Sequence, residues 1–96
     1  MHGLSAVDYQ TIKTKLAEVL ATDVAVWVFG SRARGDNQRF SDLDLMLEAD
    51  KDMSADIRVL DDCFEESSLD IKVDIVQEKD FADSYFDSYM LDRKRF

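Results

Sequence analysis

The feature that most constrains this chain is a pair of apolar runs separated by a glycine-bounded turn. Val24 to Phe29 is an unbroken β-branched and aromatic stretch that ends on Gly30-Ser31. Leu43 to Leu47 is a second apolar run, and aspartates at Asp42 and Asp44 alternate with its leucines. Between the runs lie Arg32-Ala33-Arg34-Gly35 and a polar loop, Asp36-Asn37-Gln38. The pattern predicts a strand, a tight turn into a short helix, and a return strand. Strand side chains alternate faces, so Asp42 and Asp44 point one way while Leu43, Leu45 and Leu47 point the other. Two carboxylates side by side repel unless positive charge sits between them. Mg²⁺ answers that need, because it takes oxygen ligands and is commonly shared between carboxylates and substrate phosphates. Gly30 lets backbone come close to a ligand, and a helix starting at Ser31 presents N–H groups and a hydroxyl to an anion. The stretch therefore predicts a site for a nucleoside triphosphate and a metal.

Composition narrows the setting. At 96 residues, the chain holds one domain spanning residues 1–96, with enough apolar content for a single core. With 46% hydrophobic and 34% charged residues and no low-complexity tract, it reads as an ordinary globular domain. No apolar run approaches a membrane span and no signal-peptide pattern opens the chain, so no membrane partner and a cytoplasmic location are expected. Cys63 is the single cysteine, which excludes an internal disulfide and suits a small, partly buried hydrophobe. The net charge of −9 argues against stable binding to a phosphate backbone, which leans on clustered Lys and Arg. Arg32, Arg34 and Arg39 gather around the turn, where Arg32 and Arg34 suit a nucleotide or an acidic partner surface and Arg39 reads as a solubility charge.

Read in order, Ser5 is placed to cap a helix over Ala6–Ala21, with Ile12, Leu16, Val19 and Leu20 as its buried stripe. His2 stands ahead of it, alone and free. With no second histidine, a histidine-based metal site or general base is excluded. The Val24–Phe29 run reads as a central strand covered on both faces, with Trp27 as a core or domain-surface anchor. Ser41 is placed to hydrogen-bond local backbone and fix the approach to Asp42. Ser54 is placed to cap a helix over Ala55–Glu66, whose acids Asp61, Asp62, Glu65 and Glu66 form the solvated face.

Asp70–Val76 alternates as a strand, with Ile71, Val73 and Ile75 on one side and Lys72, Asp74 and Val76 on the other. Asp74 is a carboxylate in the middle of an apolar strand and needs a partner, since burying an unpaired charge is expensive. Sharing a metal with Asp42 and Asp44 supplies one, and the position also suits a proton acceptor for an attacking hydroxyl. Asp70, at the strand's edge, suits a turn. The last segment, Lys79–Arg95, has the spacing of a helix with an aromatic stripe at Phe81, Tyr85 and Tyr89, closed by a basic end.

Gly-Ser-x-Ala-Arg-Gly followed after five residues by Ser-Asp-x-Asp-Leu, as it stands from Gly30 to Leu45, resembles the signature of the minimal nucleotidyltransferases. These are the small members of the DNA polymerase β-like superfamily. The resemblance implies an α/β fold with a small mixed three-stranded sheet, flanking helices and a polymerase-palm-like arrangement. It implies that Asp42, Asp44 and Asp74 hold two Mg²⁺ ions, with Mn²⁺ suited to the same ligands. Gly30, Ser31, Arg32 and Arg34 would hold the ATP phosphates. The implied reaction moves AMP from ATP onto a hydroxyl. Almost nothing lies outside the catalytic core, so the acceptor must come from another chain. In the family that chain is a helical HEPN toxin adenylylated on a tyrosine, and the nucleotidyltransferase is its antitoxin. Two other readings remain: an idle binding module that neutralises its partner by contact, and a small-molecule nucleotidyltransferase completed by a partner subunit.

Overall fold

A computed structural model describes all residues, Met1–Phe96. Ser5 caps the first helix as expected: its hydroxyl accepts from the Asp8 amide at 3.1 Å, and α1 runs Ala6–Val19, two residues shorter than the pattern suggested. Strand β1 (Ala25–Phe29) leads through Gly30 into the single turn α2 (Ser31–Arg34). Gly35, at φ 85°, closes α2 in the left-handed conformation that favours glycine. Strand β2 (Leu43–Glu48) returns antiparallel to β1, pairing Val28 with Leu45 and Phe29 with Asp44.

Helix α3 (Ser54–Glu65) crosses back over the sheet. Ser54 is its first residue and Met53 its N-cap, and the acceptor comes from before them: the Asp52 carboxylate accepts from the Ser54 amide at 3.2 Å and from the Ser54 hydroxyl at 2.7 Å. Strand β3 (Val73–Gln77) then pairs parallel with β2, with Leu45 opposite Ile75 and Asp44 opposite Asp74. It begins three residues after Asp70, which is left in the preceding loop.

The expected single C-terminal helix breaks into three pieces: a 3₁₀ turn (Glu78–Asp80), helix α4 (Asp83–Asp92) and a two-residue strand β4 (Lys94–Arg95). At Arg93 the backbone becomes extended, and Lys94 and Arg95 pair antiparallel with Val28 and Trp27. The sheet therefore has four strands, ordered β3-β2-β1-β4, rather than three. The cause is an edge: without β4, one side of β1 would present unpaired backbone groups.

Alternation sorts the sheet's two faces. Val28, Leu43, Leu45, Leu47, Val73 and Ile75 join Ile12 and Leu16 of α1 and Leu60 and Phe64 of α3 in one buried core. The opposite face carries Trp27, Phe29, Asp44, Met46 and Asp74 by the same register. Helix α4 and the turn before it cover part of it, with Phe81 of the turn and Tyr89 of the helix edge-on to Phe29 at 5.5 and 5.6 Å between ring centroids. Trp27 is covered by arginine rather than by apolar packing. The Arg93 guanidinium lies 3.8 Å above its ring, and the indole N–H donates to Glu48 at 3.0 Å. His2 is not free: its ring stacks on Phe96 at 5.6 Å.

Candidate functional site

The site lies at one end of the second face, where β2 and β3 present carboxylates in register beside the end of β1. Asp44 sits opposite Phe29 on one side and opposite Asp74 on the other, so the three side chains share that face. Asp42, two residues earlier, has the same parity but lies just outside the strand and is exposed. Asp44 is half-buried, and its carboxyl is pushed up first by that burial, then by the charges of Asp74 and Asp42, while Arg34 pulls it down. The strands thus bring the three predicted carboxylates within one another's field. No three His, Cys, Asp or Glu side chains close on a single point. The donor chemistry nonetheless fits a hard divalent cation: all three side chains offer carboxylate oxygens, and no hydrogen bond offsets the repulsion at Asp44.

Gly30 is required by this packing. At φ 73°, its backbone lies so close to β2 that a Cβ there would stand 2.5 Å from Asp44 Oδ2. The glycine that ends β1 and the aspartate of β2 are therefore one unit. Ser31 opens α2 directly beyond, with the unsatisfied first-turn N–H groups of a helix start. Arg34 is half-exposed at the other end of the turn, 3.1 Å from Asp36 and 3.8 Å from Asp92.

Arg32 does not face the site, and its expected nucleotide role is corrected. It is 3% exposed, and its guanidinium is spent on backbone. Nε and Nη2 donate to the Ser41 carbonyl at 3.1 and 2.9 Å, Nη2 to the Arg39 carbonyl and Nη1 to the His2 carbonyl, both at 3.1 Å. This clamp holds the loop that delivers Asp42 against α2 and the N-terminal segment. A Cβ at Gly3 would come within 3.0 Å of Arg32 Nη1, so Gly3 makes room for it. Ser41 behaves as expected, its hydroxyl accepting from the Gln38 amide at 2.8 Å.

Two polar residues have roles that the sequence reading did not assign. Lys72, on the same face as Asp74, places Nζ 3.3 Å from Asp74 Oδ1, and the hydrogen bond to that carboxylate raises the lysine. Gln77, on the core face of β3, is 3% exposed and ties strand to helix. It accepts from the Met53 amide at 2.8 Å and donates to Asp52 and Asp80, each at 2.9 Å. A polar residue at core parity was the available signal.

Two clefts border the carboxylates. One, about 680 Å³, lies where α3 meets the start of β3 and is lined by Asp61, Phe64, Lys72 and Asp74, among others. Asp61 is pushed up by partial burial and then by Asp74, so the field of the site reaches the acidic face of α3. The other, about 310 Å³, lies between Gly30 and Arg34 on one side and α4 on the other.

Comparison with known proteins agrees with this geometry. A family model described as nucleotidyltransferase domain matches residues 10–96. A Haemophilus influenzae protein named "Probable protein adenylyltransferase MntA" is 38% identical over 66 residues. That match covers 68% of this chain and only 57% of the relative's length. Among solved structures, a toxin–antitoxin crystal structure with AMP-PNP superposes with a TM-score of 0.71 at 22% identity, covering 90% of this chain and 69% of that one. A Sulfolobus solfataricus protein described as a candidate nucleotidyltransferase gives a TM-score of 0.57 at 22% identity, covering 99% and 82%. At such identities the two structures show a shared fold. The family match, spanning both predicted strands and all three carboxylates, carries the assignment: this chain belongs to the nucleotidyltransferase domain family.

Proposed function

We propose that this protein transfers AMP from ATP to a hydroxyl of a partner protein, by resemblance a tyrosine of a helical HEPN-type toxin for which it is the antitoxin. The observation that carries the reading is the register that sets Asp44 beside Asp74 and against Gly30, with Asp42 on the same face. A relative named for protein adenylylation and a fold shared with a toxin–antitoxin structure holding AMP-PNP support the donor and the partner class.

In the transfer, the acceptor oxygen bonds to the α-phosphorus, the bond to the bridging oxygen breaks, and pyrophosphate leaves. Asp42, Asp44 and Asp74 would hold Mg²⁺, two ions by the family resemblance, with Mn²⁺ also suited; the bound cation supplies charge stabilisation and acidifies the attacking hydroxyl. Gly30 and the first-turn N–H groups at Ser31 receive the phosphates. Arg34 faces the same end and offsets charge on the leaving group. Asp74, half-exposed at the edge of the larger cleft, is the residue within reach of an acceptor entering there and takes its proton. Lys72 holds Asp74 while no acceptor is present.

The test is transfer of label to protein in lysate of the source organism, with α-³²P-ATP and γ-³²P-ATP in parallel and Mg²⁺ present. Wild type is expected to label a protein band from the α-phosphate only, and the Asp42→Asn, Asp44→Asn double variant to label none. Label from the γ-phosphate alone would identify a kinase and sink the reading. Neutralisation of the partner by the double variant would instead favour inhibition by contact.

A further inference from the structure

We propose that Lys72 is the resident counter-ion of Asp74, and that Asp61 on α3 is the carboxylate to which it moves when a divalent cation takes Asp74. The inference rests on the nucleotidyl-transfer reading and adds how the site passes from its metal-free to its loaded state.

Of the three carboxylates, only Asp74 already has a cation against it. Lys72 Nζ lies 3.3 Å from Asp74 Oδ1, while no ion pair of the chain reaches Asp42 or Asp44. The lysine precedes Asp74 by two residues and shares its face of the sheet. Its backbone is fixed, because the Lys72 carbonyl accepts from the Leu43 amide of β2 at 2.9 Å. Its side chain is 71% exposed and has room to swing from that fixed root. A carboxylate oxygen held by an ammonium is not free for a divalent ion, so the two compete. Exposed ion pairs are weak, and the ammonium therefore yields to the doubly charged ion without locking it out.

The displaced ammonium is repelled by the cation that replaces it and needs another carboxylate within its field. Lys72 feels three, Asp74 first and then Asp42 and Asp61. Asp42 belongs to the metal site and is taken once that site fills. Asp61 is left. It lines the larger cleft together with Lys72 and Asp74, and it makes no ion pair of its own. Its charge and that of the lysine act on each other across the cleft. Glu65 and Asp70 line the same cleft, yet neither acts on the lysine as Asp61 does. Until a cation arrives, an acceptor entering the cleft meets an Asp74 that is already engaged. The lysine thus keeps the acceptor side of the site idle while metal is absent.

Mn²⁺ titration of the full chain, with the free ion counted by electron paramagnetic resonance, tests this without turnover. Lys72→Met is expected to tighten Mn²⁺ roughly two- to tenfold, and Lys72→Arg, which keeps the charge, to stay near wild type. Asp61→Asn should weaken Mn²⁺ in the otherwise native chain and change nothing in the Lys72→Met background, where no ammonium is left to receive. Unchanged Mn²⁺ affinity in Lys72→Met would overturn the inference. Equal weakening by Asp61→Asn in both backgrounds would also overturn it, because Asp61 would then act on the cation directly and not through the lysine. In either case, protein labelled from α-³²P-ATP by the wild type leaves the transfer reading standing. A wild type that binds no Mn²⁺ would overturn the inference, and one that also labels no protein would overturn both.

Discussion

Asp44 is a residue that the fold holds at a cost. It is half-buried and flanked by two like charges, and its ionised form is held less favourably than a free carboxylate's would be. Asp44→Asn should therefore raise Tm by about a few degrees in metal-free buffer at neutral pH, while transfer falls by roughly a hundredfold or more. Scanning calorimetry beside the labelling assay checks the pair of effects; a lower Tm would contradict the electrostatic account. Gly30 is the opposite case. Gly30→Ala combines a positive φ with a methyl 2.5 Å from Asp44 Oδ2, so a loss of about 2 kcal/mol in urea unfolding is expected together with lost transfer. Arg32 shows how the same residue type can serve unlike ends two positions from Arg34. Arg32→Ala would strand the carbonyls of His2, Arg39 and Ser41, at about 3 kcal/mol. Ordinary arginine reasoning favours solvent or a phosphate. The Arg32 clamp draws on the His2 carbonyl, some thirty residues away, and nothing local announces it.

At the scale of elements, periodicity carried most of the fold. The alternation around Asp42 and Asp44 placed β2 and its two faces, and the spacing of Ile12 and Leu16 placed α1 on the core. What periodicity did not reveal was the C-terminal break. Phe81, Tyr85 and Tyr89 keep helical spacing, but Phe81 lies outside α4 and packs on Phe29 from the turn before it. The open edge of β1, a tertiary fact, decided that Lys94 and Arg95 pair as a strand. Asp74 was legible as a candidate because a lone carboxylate interrupts an apolar strand, and the register sets it beside Asp44. Helix α4 itself is anchored by Tyr89, whose hydroxyl donates to Glu78 at 3.2 Å and whose burial pushes its phenol up to about 12. An unfolded tyrosine ionises near 10, so between about pH 10 and 12 the unfolded chain loses a proton that the folded one keeps. Stability should fall as pH rises through that window. Tyr89→Phe should flatten the fall, measured by urea unfolding from pH 9 upward.

For the molecule as a whole, β2 is the middle of the structure. It pairs on both sides, antiparallel to β1 and parallel to β3, and Leu43, Leu45 and Met46 are fully buried. Its amides should exchange slowest with deuterium, and those of the two-residue β4 among the fastest. Comparable protection in the two strands would mean that β4 is a more integral part of the sheet than its length suggests. The two faces of β2 also set two separable fitness demands. In a saturation library scored once for cellular abundance and once for transfer, Leu43, Leu45 and Leu47 should dominate the first screen. Asp42 and Asp44 should be nearly silent there and decisive in the second. Met46, buried yet on the reactive face, is the position where the two scores should move together. Selection can therefore tune robustness and chemistry along a single strand by acting on alternate codons.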